Sequence, residues 1–246
     1  MFLSIYNLEP EHFSRDAIKE LKKYGNYYEA KSKSSNLDEK ILSESQVLIT
    51  RLNRKIDLKI LKKTPRLKFI VTATTGLNHL DIKEISKRNI SIISLKGETR
   101  FLKGVFSTAE LNFGLIIELA RKIKYASKNV SSGKWDRDFY RGFELQGKKI
   151  GIIGFGRIGK ILSKYCLSFG MEVLVNDIKR NLDIRNKRIK KVSLNKLLNY
   201  SDIISLNINY DERFINFIDK RKFELMSKKP FFINTSRGEL VNEIDL

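Results

Sequence analysis

The chemistry this chain can perform is concentrated in Gly154-Phe155-Gly156-Arg157-Ile158-Gly159, which follows directly on the apolar run 150–153. Glycines at that spacing let the backbone turn tightly, let it approach a diphosphate with no side chain in the way, and let the next helix pack on the strand. The first amides of such a helix have no intrahelical acceptor, and the positive end of its dipole adds to their pull on an anion. The helix itself is legible: Ile158, Ile161, Leu162, Tyr165, Cys166 and Phe169 recur at steps of three and four, and Gly170 is placed to end it. A second apolar run, 173–175, ends in Asn176-Asp177. A carboxylate there can accept both hydroxyls of an adenosine ribose and repels a 2′-phosphate, which favours NAD over NADP. Lys179 and Arg180 follow at once and pull the other way. Alone, the glycine spacing is weak evidence; strand, turn, helix, strand and terminal acid together are strong evidence for a dinucleotide site.

A second candidate is Arg237, in Asn234-Thr235-Ser236-Arg237-Gly238-Glu239-Leu240-Val241. The apolar residues Phe231, Phe232 and Ile233 precede it, so Arg237 is expected past the carboxyl end of a strand, on the rim that carries the glycine turn. A planar guanidinium can hold two oxygens of a 2-keto carboxylate at once. The plainer alternative is a surface arginine at a strand end. In the first half, the loop Ala73-Thr74-Thr75-Gly76-Leu77-Asn78-His79-Leu80-Asp81 follows the apolar run 69–72. Backbone amides around Gly76 can bind a carboxylate. An ordinary turn into a helix capped by Asp81 explains the same residues, and the local sequence leaves both readings open. His12 is expected at the surface and His79 in a structural or supporting role. Two separated histidines and one cysteine offer no metal-ligand spacing.

These residues need a scaffold, and the first half supplies an alternation. Strands are expected at 2–6, 27–30, 47–50, 69–72 and 91–95, with helices at 10–24, 37–43, 57–62 and 81–88. Strands alternating with helices predict a parallel sheet covered on both faces. Residues 107–128 read as one long helix, opened by the capping-box pattern Ser107-Thr108-Ala109-Glu110. It is expected to join two α/β domains, with a boundary near 97–105 and hinges at Gly97 and Gly104. Further strands are expected at 188–192, 202–206 and 231–234, and helices at 194–200 and 219–228. The fold class is α/β, with two doubly wound parallel sheets.

With 246 residues, 41% apolar and 31% charged, the chain can bury a sizeable core. No apolar run approaches the ~20 residues that span a bilayer. Met1-Phe2-Leu3-Ser4-Ile5-Tyr6 reads as a first strand and not a signal peptide. The single Cys166 excludes a disulfide framework and suits a reducing cytoplasm. The net charge of +20 raises the possibility of nucleic-acid binding. Basic residues are spread along the chain, and the densest run, 185–191, has no aromatic-basic motif or zinc-finger spacing beside it. A lysine-rich surface is the favoured reading.

Taken together, these blocks resemble the D-isomer-specific 2-hydroxyacid dehydrogenases. Thr75-Gly76-Leu77-Asn78-His79-Leu80-Asp81 is similar to that family's substrate loop, and Thr108-Ala109-Glu110 to the start of its inter-domain helix. Gly133-Lys134-Trp135, then Glu144-Leu145 and Gly147-Lys148, then residues 151–159, resemble its cofactor signature, and residues 234–241 its arginine block. The resemblance implies a flavodoxin-like substrate-binding domain at 1–100 and a Rossmann NAD-binding domain at 101–246. It implies that Arg237 binds and polarises the substrate, that Thr75, Gly76 and Leu77 contact its carboxylate, and that Gly154, Phe155, Gly156, Arg157, Ile158, Gly159, Asp177, Thr235 and Ser236 hold NAD. Arg51 is a poorer match to a substrate-facing arginine. Hydride transfer between NAD and a D-2-hydroxy or 2-keto acid would follow, in a homodimer. Two departures stand out. Asn207 and Asn209 replace the His and Pro of many members. The family's acid/base Glu and His, with its last strands, come after the arginine block, so the chain is expected to be a truncated form. A non-catalytic NAD-binding regulatory or interaction protein on the same fold is the alternative.

Overall fold

In the computed structural model, which describes residues 2–31, 36–184 and 186–246, the apolar runs become parallel strands in two separate sheets. Met1 and Arg185, the ends of two segments singled out above, lie outside the described residues. The chain divides into two compact units, Met1–Leu102 and Lys103–Leu246.

The first unit runs β1 (Leu3–Asn7), α1 (Arg15–Leu21), β2 (Gly25–Glu29), α2 (Glu39–Glu44), β3 (Val47–Thr50), α3 (Leu58–Lys62), β4 (Phe69–Thr72), α4 (Ile82–Lys87), β5 (Ser91–Ser94) and α5 (Thr99–Leu102). Its strands lie in the order β2-β1-β3-β4-β5, all parallel, which is the flavodoxin-like order. Side chains on the two faces build separate apolar clusters, around Leu48, Leu61, Ile70 and Ile85 on one and Ile5, Val47 and Ile49 on the other. Three helices begin on an aspartate that the sequence reading had put inside the helix. Asp38, Asp57 and Asp81 accept from the amides of Ile41, Ile60 and Glu84, each satisfying an amide that the helix cannot. The first helix is shorter than the expected 10–24. His12 has φ 60° and is exposed in a turn ahead of it, so the pattern of charged residues there belongs to a loop.

The second unit runs α6 (Ser107–Arg121), α7 (Ile123–Ser131), β6 (Lys149–Ile153), α8 (Arg157–Ser168), β7 (Glu172–Asn176), β8 (Ile189–Lys191), α9 (Leu194–Tyr200), β9 (Ile203–Leu206), α10 (Lys220–Glu224) and β10 (Phe231–Asn234). The order β10-β9-β6-β7-β8, again wholly parallel, is that of a mononucleotide-binding Rossmann half with two further strands beside it. β6, β7 and β9 are nearly continuous apolar runs because both faces are covered, by the Ile152–Leu162–Cys166 cluster on one and the Leu197–Ile204–Leu240 cluster on the other.

The expected single helix over 107–128 is two. Lys122 takes a left-handed conformation, φ 53° and ψ 36°, and ends α6. The returning chain explains the break: Phe143 N–H donates to the Ala120 carbonyl at 3.0 Å, taking the acceptor that a continuing helix would need. Gly142 lies so close that a Cβ there would meet the Ala120 oxygen at 2.2 Å. The capping box also differs. Phe106 occupies the cap position, no side chain caps the helix, and Glu110 N–H donates to the Phe106 carbonyl, so Ser107 is already helical. Among the described residues no helix is long and apolar enough to cross a membrane.

Candidate functional site

In a parallel sheet every strand delivers its following loop to the same rim, and in the second unit that rim gathers the residues singled out above. β6 is central, between β9 and β7, and the strand order reverses there, which opens a crevice at the carboxyl ends. Gly154 follows β6, Asp177 follows β7, Asn207 follows β9, and Thr235, Ser236 and Arg237 follow β10.

Each glycine of the turn has its own reason. Gly154 has φ +90°, and an added Cβ would meet the Asn207 carbonyl oxygen at 2.6 Å. At Gly159 a Cβ would meet the Gly154 oxygen at 2.3 Å, so this glycine sets how closely α8 lies on β6. Gly156 differs: an added Cβ would meet nothing within 4 Å. Nothing in the fold forbids a side chain there, and the open side of Gly156 is where a diphosphate would approach. α8 starts at Gly156 with no side-chain cap, so its first amides keep their hydrogen-bonding capacity for a ligand. The residues present therefore fit a dinucleotide.

Asp177 braces the turn from the next strand. One carboxylate oxygen accepts from Phe155 N–H at 2.7 Å and the other from Lys179 N–H at 2.9 Å. The Phe155 amide is thus spent within the protein, and the Phe155 side chain is in the core, 4% exposed. Arg157 is half-buried and its guanidinium donates to the Val105 carbonyl, so the side chain binds its own fold while its backbone N–H opens the helix. Ile158 is half-buried on the same first turn. Lys191 donates to the carbonyls of Lys179 and Arg180, both at 2.6 Å, and closes the segment after Asp177.

The arginine loop is tightly bonded. Asn234 Nδ2 donates to the Arg237 carbonyl at 2.8 Å, while its Oδ1 accepts from Ser236 N–H at 2.9 Å. Ser236 Oγ donates to the Leu206 carbonyl at 2.8 Å, tying the loop to the neighbouring strand. Arg237 is half-buried and its Nη1 donates to the Ser236 carbonyl at 2.8 Å. Under the loop lies a buried amide that the sequence reading missed. Asn112, on α6 and 0% exposed, donates to Ser205 Oγ at 2.8 Å and to Thr235 Oγ1 at 2.9 Å. The only sequence signal was a polar residue inside an apolar helix face.

Thr75, Gly76 and Leu77 belong to the first unit, at the carboxyl end of β4. Thr75 is exposed; Gly76 and Leu77 are half-buried. Thr74 Oγ1 donates to the Gly76 carbonyl at 2.8 Å and shapes the turn. His79 is 5% exposed, with Nε2 3.5 Å from Thr72 Oγ1. A second missed residue is Glu9, after β1 and 2% exposed. Its carboxylate accepts from Thr50 Oγ1 and Arg51 N–H at 2.9 Å, Asn53 Nδ2 at 3.1 Å, and Asn53 and Arg54 N–H at 3.2 Å. Burial by itself raises the pKa of Glu9, but these donors outweigh it and hold the carboxyl below its usual range. Glu9 thereby fixes the loop that carries Arg51, whose own guanidinium donates to the Glu11 carbonyl. Among the described residues no group of three or more His, Cys, Asp or Glu is placed to hold a metal.

Two family models divide the chain between them. The catalytic domain of the D-isomer-specific 2-hydroxyacid dehydrogenases matches residues 5–100, and the NAD-binding domain of the same family matches residues 113–246. The chain belongs to the D-isomer-specific 2-hydroxyacid dehydrogenases. The glycine turn, Asp177 and the arginine loop all lie in the part matching the family's NAD-binding domain, and residues 75–77 in the part matching its catalytic domain. Among curated relatives in this family, glyoxylate reductase of Thermofilum pendens is 33% identical over 207 residues, which is 82% of this chain and 60% of that one. D-3-phosphoglycerate dehydrogenase of Archaeoglobus fulgidus is 31% identical over 243 residues, 97% of this chain and 45% of that one. The chain thus spans between 45% and 60% of the length of these relatives. Solved structures of dehydrogenases agree in fold. D-lactate dehydrogenase from Aquifex aeolicus, complexed with NAD and lactic acid, has a TM-score of 0.83 at 28% identity, covering 97% of this chain and 70% of that one. NAD-dependent formate dehydrogenase from Staphylococcus aureus, in complex with NAD, has a TM-score of 0.85 at 26% identity, covering 98% and 76%.

Proposed function

We propose that this protein works as an NAD-dependent dehydrogenase on D-2-hydroxy acids and their 2-keto partners. The observation that carries the reading is one rim of one sheet holding an uncapped helix start at Gly156, the Asp177 carboxylate and the Arg237 loop. In this reading the amides that open α8 hold the diphosphate. Each Asp177 oxygen already accepts one backbone N–H and keeps a lone pair for a ribose hydroxyl. Thr235 and Ser236 border the nicotinamide. Arg237 binds the substrate carboxylate and draws electron density from the keto oxygen; Thr75, Gly76 and Leu77, in the first unit, are the substrate-loop residues that the family resemblance implies. NAD, when bound, supplies the hydride acceptor.

Alcohol oxidation also needs a group that takes up the hydroxyl proton. The resemblance puts that pair, a Glu and a His, beyond the arginine block, whereas His12 and His79 both precede the glycine turn. In our reading the residues present here bind cofactor and anion without supplying the pair. The test is NADH fluorescence titration, followed by absorbance assays with glyoxylate, hydroxypyruvate, D-lactate and D-3-phosphoglycerate. NADH binding with little turnover is the expected result. Absence of NADH binding would remove the assignment, and normal turnover would show that another residue moves the proton.

Homodimer formation is part of the same proposal. Trp135 is 81% exposed, Phe139 69% and Tyr125 61%, all within or just after α7 in the second unit. Exposed aromatic side chains of this kind are what an association site would bury. Sedimentation of the chain should give a dimer, and Trp135→Glu a monomer.

A further inference from the structure

We infer that Asn112 is a positioning residue, which sets the distance between the glycine turn and the Arg237 loop through a buried hydrogen-bond chain. This rests on the function proposed above. Ser205 Oγ is the junction: it accepts from Asn112 Nδ2 at 2.8 Å and from Asn207 Nδ2 at 2.8 Å. Through Asn207 the chain reaches the glycine turn, because the Asn207 carbonyl is what Gly154 packs against, and Asn207 N–H donates to Ile153 O at 2.7 Å. Through Thr235 Oγ1 it reaches the strand end two residues before Arg237. One helix side chain is therefore bonded directly to the base of the Arg237 loop and, through Ser205 and Asn207, linked to the glycine turn.

The cost of this arrangement argues for its purpose. Asn112 and Ser205 are 0% exposed, and the Oδ1 atoms of Asn112 and Asn207 are buried with no protein partner among the described residues. An apolar side chain at 112 would join the Ile116 and Ala120 face without leaving a carbonyl idle. Packing alone does not explain an amide here. A hydrogen-bonded spacer does, because it fixes direction as well as distance, which apolar contact cannot. The Arg237 loop leaves β10, on which α6 packs, and Ser205 lies on β9, the strand between β10 and the β6 that ends in the glycine turn.

The test uses the full 246-residue chain with two probes. NADH reports the glycine turn. Oxalate, a planar dianion with a carboxylate beside a second carbonyl oxygen, is titrated into the NADH complex and reports Arg237. Asn112→Leu and Ser205→Ala should each weaken oxalate about tenfold, the size of one hydrogen bond, while NADH affinity changes less than about threefold. The double variant should be no weaker than the weaker single one, because both break the same link. Unchanged oxalate affinity in Asn112→Leu, or NADH and oxalate falling together with Tm, would overturn the inference and leave only a structural role. Ser205→Ala supplies the same comparison if Asn112→Leu does not fold. A wild-type chain that binds neither probe defeats the proposed function itself, whereas wild-type binding with an indifferent Asn112→Leu defeats only this inference.

Discussion

Asp177 Oδ2 lies 2.7 Å from the Phe155 amide nitrogen, so the acid at the end of one strand holds shut the turn at the end of its neighbour. Asp177 braces the glycine turn and, in the proposed function, also presents lone pairs to a ribose. Asp177→Ala removes both. The expected outcome is at least a tenfold loss of NADH affinity, about 1.4 kcal/mol or more, with a smaller loss for NADPH because the repulsion of a 2′-phosphate goes too. Parallel NADH and NADPH titrations check this, and an equal loss for both would contradict it.

The glycines of the turn predict opposite failures. Gly156→Ala meets nothing within 4 Å, so the fold should be unharmed while its methyl group blocks the diphosphate and NADH binding drops. Gly159→Ala sets a methyl carbon 2.3 Å from the Gly154 oxygen and should cost about 2 kcal/mol of stability or more. Urea denaturation of each variant, read beside NADH titration, separates the two effects.

Glu9 predicts an acid-side dependence. Its pKa in the folded protein is below the ordinary carboxylate value, so it contributes stability above pH 4.5 that is lost as pH falls through the folded pKa. Glu9→Gln keeps the shape but loses the charge-assisted bonds and should cost about 2 kcal/mol at neutral pH. Below the folded pKa the gap to wild type should narrow. Denaturation series between about pH 3 and 7 test the sign; a gap that widens in acid would refute it.

What the sequence showed and what it hid follow from chain distance. Gly154, Gly156, Gly159 and Asp177 were legible because a strand, a turn and a helix start are local events with fixed spacing. Asn112 was hidden, since its partners Ser205 and Thr235 lie 93 and 123 residues away and only the folded sheet brings them to α6. The break at Lys122 was hidden for a similar reason: no glycine or proline marks it, and the cause is Gly142 and Phe143 arriving from the next loop. Helix starts at Asp57 and Asp81 were off by one residue, as an aspartate cap accepts a helical bond without being helical itself. The serine-to-glutamate pattern at 107–110 misled because Phe106 had already taken the cap position.

The thiol of Cys166 is 0% exposed on the face of α8 that packs on the sheet, and burial pushes its pKa up to about 12. It should therefore ignore a disulfide reagent until α8 lifts away, and it is the only cysteine in the sequence. That makes it a clock built into the same helix whose first amides, in the proposed function, hold the diphosphate. Labelling time on the intact protein would measure how long α8 stays seated, and a ligand that grips the start of the helix should slow the clock without touching the sulfur.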